Sequence, residues 1–118
     1  MNLLNLATVT ANCEPRVGTV DGHFHGGHWY FGSSHESSRF HHLRARPQVS
    51  ANHVRGEELA VVLHGRAVEI DPGAPEHGPF LDQLVECYGE EWRAWGTGAA
   101  YARIEPTFMV AAYLPTGG

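Results

Sequence analysis

Hydrophobic and polar positions alternate from the first residues of the chain. Leu4, Leu6 and Thr8 fall on one side and Asn5, Ala7 and Val9 on the other, a period of two that predicts a strand. The pattern ends at Asn12-Cys13-Glu14-Pro15, a cluster of turn formers. A second alternating stretch, 16–25, runs into Gly26-Gly27 and resumes as a third over 28–33. Two glycines between two strand patterns predict a hairpin loop that needs positive φ. That loop length sets a register with His25 opposite His28, Phe24 opposite Trp29 and His23 opposite Tyr30. Trp29, Tyr30 and Phe31 are aromatic residues suited to a pleated, half-buried surface.

The period then changes. Ser37 or Ser38 can act as an N-cap, with Phe40 and Leu43 following at helical spacing until Pro47 forbids continuation. A fourth strand is expected over 48–54, a turn at Arg55-Gly56-Glu57, and a long fifth strand over 59–70. Its start, 59–63, is apolar on both faces, which suits a central barrel strand. Asp71-Pro72-Gly73-Ala74-Pro75 breaks that run. Pro79 then opens a helix whose Leu81, Leu84, Val85 and Tyr88 form one stripe, ending near Gly89. A further helical turn or two is expected over 90–95, and a last strand over 100–114, interrupted at Pro106. The fold class is mainly β with two or three peripheral α-helices, in one domain over 1–118, without repeats or low-complexity tracts.

Composition narrows the function classes. All eight basic residues are arginine, so a lysine Schiff base is excluded. A net charge of −5 argues against a sequence-independent nucleic-acid binder. No apolar run reaches membrane-spanning length, and the first residues lack the basic region of a signal peptide. Cys13 and Cys87 stand alone, outside any zinc or redox spacing, as expected of reduced thiols in a cytoplasmic protein.

The stretch from Trp29 to Pro47 carries the main chemistry. A helix start leaves unpaired N–H groups and partial positive charge, a natural anion cradle. Arg39 in its first turn adds a planar fork of donors suited to phosphate. Arg16, Ser33, Ser37 and Arg39 are the candidates for the anion site, with Ser34 or Ser38 helping. Histidine is the other oddity, nine in the chain. The hairpin register puts His23, His25 and His28 on one face, an alternative metal site in which the His25–His28 pair still needs a third and usually a fourth ligand, or an acid–base group near neutral pH. No nucleophile constellation stands out, and no catalytic residue is assigned.

The ordered series Leu6-Ala7-Thr8-Val9, Pro15-Arg16-Val17, Gly26-Gly27 with Trp29-Tyr30-Phe31, Ser37-Ser38-Arg39, Pro47-Gln48-Val49-Ser50 and Leu63-His64-Gly65-Arg66-Ala67 resembles the pyridoxamine-phosphate-oxidase-like superfamily of flavin-binding split barrels. The resemblance implies a split β-barrel of the FMN-binding type and a homodimer with noncovalent FMN between the chains. It also implies a flavin-dependent oxidoreductase that transfers hydride to a small-molecule substrate. The segment matching Ser37-Ser38-Arg39 holds the flavin phosphate in the family, usually as Ser-Arg-Lys; Ser38 here replaces the arginine and Arg39 the lysine. Ser33 matches a phosphate-binding position, and His41, four past Ser37, a family histidine; His42 is expected on the helix surface. The strand along which the isoalloxazine lies matches Val17, Gly18, Thr19 and Val20, and Trp95 is a candidate cap on the partner's ring. Leu59-Ala60 replaces a family glutamine, and the helix that usually precedes the first strand is missing. The chain is also too short for pyridoxamine-phosphate oxidase itself. The alternatives are a reductase using the deazaflavin F420, with Arg44 and Arg46 beginning a groove for its acidic tail, and a non-enzymatic flavin, haem or metal binder using the hairpin histidines.

Overall fold

The alternating segments close into a six-stranded antiparallel barrel in the order β1-β2-β3-β6-β5-β4, with β4 returning to β1. The computed structural model describes residues 2–34, 36–71, 74–89 and 99–113. Its strands are β1 (Asn2–Val9), β2 (Pro15–His25), β3 (His28–Ser34), β4 (Gln48–Arg55), β5 (Leu59–Ile70) and β6 (Ala99–Tyr113). Helix α1 (Ser38–Ala45) links β3 to β4, and α2 (Gly78–Tyr88) follows a 3-10 turn after β5. The helical turn expected over 90–95, and Trp95 within it, lie outside the described residues.

The hairpin register is the expected one, with His25 opposite His28, Phe24 opposite Trp29 and His23 opposite Tyr30. Gly26 and Gly27 both take positive φ, 59° and 83°, as the tight turn demands. The last strand differs from expectation, because β6 runs through Pro106 without a break. Proline lacks a ladder donor, and the pairing absorbs this by a register shift between His64 and Gly65, with Gly65 opposite Pro106. Gly65 is required there, since a side chain would collide with the Glu105 carbonyl.

Period-two alternation fills the barrel with Leu4, Leu6, Val20, Phe31, Val49, Leu63 and Ile104, all at most 5% exposed. Phe40 and Leu43 of α1 join this cluster, and the Phe40 ring packs 5.8 Å from Phe31. A second cluster lies outside the barrel, where Phe80 and Leu84 of α2 cover Tyr30 and Tyr101. Phe80 stacks on Tyr30 at 4.2 Å between ring centroids. The start of β5 is not covered on both faces, for among the described residues Val62 and its β6 neighbours Phe108, Met109, Val110 and Tyr113 are exposed.

Candidate functional site

Ser37 ends the extended chain after β3 and caps α1, its Oγ accepting from the Phe40 N–H at 3.3 Å. The cap leaves Ser38 and Arg39 in the first helical turn, and both line a cleft of about 590 Å³ between α1, β1 and β2. Such a volume is in the range of small-molecule and cofactor sites. Arg39 is held in place from two sides. Its Nη1 donates to Ser33 Oγ at 2.8 Å, and its Nη2 lies over Gly18 of β2, where a Cβ would stand 2.5 Å away. Arg16 lines the same cleft and pairs with Glu14 at 3.0 Å. No carboxylate lines this cleft among the described residues, so its lining is cationic and hydroxylic.

The sequence candidates are distributed as follows. Arg16, Val17, Ser38 and Arg39 meet in the cleft. Ser33 and Ser34 line a neighbouring cleft of about 230 Å³, which Arg39 touches through its bond to Ser33. Thr19 lies outside the cleft and donates to Asn5 Oδ1 on the outer sheet face at 3.1 Å. Val20 is a barrel-core residue at 5% exposure, so its side chain is unavailable to a ligand, whereas Val17 on the opposite face is 75% exposed. The helix turns His42 toward the cleft and leaves His41 exposed, the reverse of what the family order implies. The reason is local: Nδ1 of His42 pairs with Oγ1 of Thr8, a residue only 2% exposed, at 3.2 Å. Leu6, Thr8 and Thr10 complete the cleft wall and are absent from the sequence candidates, although their shared parity along β1 is a usable signal. Gly18 gives a further signal, since an interior strand glycine marks a close approach, here of the Arg39 guanidinium.

The second cleft is lined by Asp21, His23 and Tyr88 beside the two serines. The Tyr88 hydroxyl donates to Asp21 Oδ2 at 3.2 Å and meets Nε2 of His23 at 3.0 Å. Burial pushes the His23 imidazole pKa down, partly countered by Asp21. Burial, followed by the charge of Asp21, pushes the Tyr88 phenol well above the ordinary tyrosine value.

The hairpin histidines are otherwise engaged. His25 Nδ1 bonds Gln83 Oε1 at 2.6 Å, and His28 stands 3.6 Å from Glu105. Among the described residues no group of three or more histidine, cysteine or acidic side chains could hold a metal ion. Arg44 and Arg46 do not open a free basic groove. Arg44 donates to both Glu69 oxygens, at 2.8 and 3.0 Å, and Arg46 Nε donates to the Val9 carbonyl at 2.9 Å. Cys13 and Cys87 are unpaired and exposed, and no described helix is long and apolar enough to cross a membrane.

A closed six-stranded antiparallel barrel with α1 set between β3 and β4 is a split-barrel fold. Solved structures with this fold include the haem storage protein HutZ of Vibrio cholerae, with a TM-score of 0.79 and 19% identity over 95% of this chain and 85% of that one. An FAD-binding protein of Mesorhizobium loti matches with a TM-score of 0.73 and 21% identity over 94% and 83% of the two chains. An F420 reductase matches with a TM-score of 0.72 and 19% identity over 92% and 89%. No family model and no curated protein matches the chain. At these identities the likeness establishes the fold.

Proposed function

We propose that the chain binds FMN by its phosphate in the α1 cleft and acts, as a cytoplasmic homodimer, in flavin-dependent hydride transfer to a small-molecule substrate. The observation that carries this reading is Arg39, pinned by Ser33 over Gly18 beside the start of α1. Arg16 lines the same cleft, which is free of lining carboxylates among the described residues. Fixed cations, hydroxyls and helix N–H groups are the donor set a phosphate monoester requires. The flavin ring supplies the hydride chemistry when bound. The protein's part is to grip the phosphate through Arg39, Arg16 and Ser38 and to offer Val17 and Thr19 on the outer face of β2. The exposed apolar surface of Val62, Phe108 and Val110 suits a second copy of the chain, and Trp95, by the family resemblance alone, is the candidate cap on the partner's ring.

Likeness to an F420 reductase supports flavin-type cofactors in general. FMN is favoured over the deazaflavin because Arg44 and Arg46, the candidates for an acidic tail, are bound to Glu69 and Val9. Haem binding is a second reading, prompted by the haem storage protein. Of the hairpin histidines it would be left with His28, because α2 engages His23 and His25.

Titrating apoprotein with FMN tests the reading. Arg39→Ala should weaken binding about tenfold to a hundredfold, equivalent to about 1.4–2.7 kcal/mol. Unchanged affinity refutes the phosphate assignment. A Soret band in the purified protein, without flavin bands, supports haem instead.

A further inference from the structure

The anion site has an uneven charge inventory. The first turn of α1 carries one arginine, Arg39, beside Ser38, and the fold brings the His42 imidazole into the same cleft one turn further along α1. We propose that His42 is the second cation of this site, and that its protonation makes the cleft's grip on a dianionic phosphate or sulfate group depend on pH.

Three observations carry the proposal. His42 lines the cleft together with Arg16 and Arg39, so a charge on its ring acts on the same occupant. Its Nδ1 is fixed by Thr8 Oγ1 at 3.2 Å, which holds the ring against β1. A hydroxyl can donate to a neutral ring nitrogen or accept from a protonated one, so Thr8 serves both charge states. His53 contrasts with it, because its Nδ1 faces the Leu3 carbonyl at 2.9 Å, a partner that can only accept.

The surroundings give the coupling its sign. Arg39 comes from α1 itself and Arg46 from its C-terminal cap, Arg16 from β2 with Glu14 paired behind it, and the β1 side presents only the neutral Leu6, Thr8 and Thr10. A positive charge on the His42 ring would act, with those of Arg16 and Arg39, on the same occupant. A dianion in the cleft favours that charge, and by reciprocity the proton strengthens the anion's binding by the same factor. Histidine is the side chain whose charge ordinarily changes between about pH 5 and 8.

The inference rests on the cleft being an anion site, and the experiment separates it from the flavin proposal. Sulfate keeps its charge over this range, so it isolates the protein's titration. Wild type, His42→Gln and His41→Gln are titrated with sulfate at pH 5.5 and pH 8, followed by the amide resonances of α1. Wild type and His41→Gln should bind about tenfold more tightly at the lower pH, whereas His42→Gln, which has no titrating ring, should bind nearly equally at both. Equal pH dependence in His42→Gln and wild type overturns the proposal, as does sulfate that perturbs no α1 resonance. The same proteins titrated with FMN test the flavin reading separately. FMN that fails to bind, beside pH-dependent sulfate binding, removes the flavin reading and leaves His42 in its role.

Discussion

Arg39 and Ser33, six residues apart and separated by the cap of α1, are joined by a 2.8 Å hydrogen bond that lays the guanidinium across Gly18. The helix start, β2 and β3 thus converge on one cation. Gly18→Ala tests this convergence without removing a charge. The new methyl group would stand 2.5 Å from Nη2, the far end of a flexible side chain, so the fold yields by moving Arg39. FMN affinity should fall about tenfold while stability changes by less than about 1 kcal/mol, read by fluorescence quenching and urea unfolding. Full affinity in this variant would show that the position of Arg39 is immaterial to binding.

Gly65 and Pro106 are paired at the register shift between β5 and β6. A side chain at Gly65 meets the Glu105 backbone, which cannot rotate away as Arg39 can. Gly65→Ala should therefore cost about 1–3 kcal/mol, the usual cost of overpacking, where Gly18→Ala costs little. Urea denaturation of the two variants side by side checks the contrast, and equal midpoints would contradict it.

The barrel is legible in the sequence because period-two alternation and the Gly26-Gly27 turn are local signals that agree with the tertiary register. The roles of the two α1 histidines are not. Adjacent residues differ by about 100° around a helix, and the choice between them is made by Thr8, thirty-four positions away. Val20 is hidden for a related reason: a strand matched to a cofactor by family order has two faces, and only its parity with the core tells which one is open. The run through Pro106 is hidden because the compensating glycine lies on the neighbouring strand.

The exposed strip on β5 and β6 yields a prediction about assembly. Val62 and Val110 face each other across the ladder at 38% and 47% exposure, flanked by Phe108 at 51%. A contiguous apolar surface of this kind usually marks an interaction site. Val110→Asp should convert a dimeric wild type into a monomer in sedimentation velocity, with little loss of fold, because the position is solvent-facing in one chain. A wild type that sediments as a monomer removes the homodimer from the proposal.

Tyr88 ties the end of α2 to β2 through Asp21 and His23, and this contact sets an acid limit on stability. Burial lowers the His23 pKa, so the folded protein favours the neutral ring and the unfolded chain takes up the proton first. The contribution is present above the unfolded value of about 6.5 and is lost as pH falls below it toward the folded value. Wild type should therefore lose urea resistance between pH 7 and pH 5, and His23→Gln should lose less over the same interval. Tyr88 has the opposite sense: its raised pKa favours the protonated phenol, so its contribution is present below about pH 10 and is lost on going more alkaline. Tyr88→Phe should cost about 1 kcal/mol near neutrality through the lost hydrogen bonds. If His23→Gln proves as acid-sensitive as wild type, the titrating group lies elsewhere.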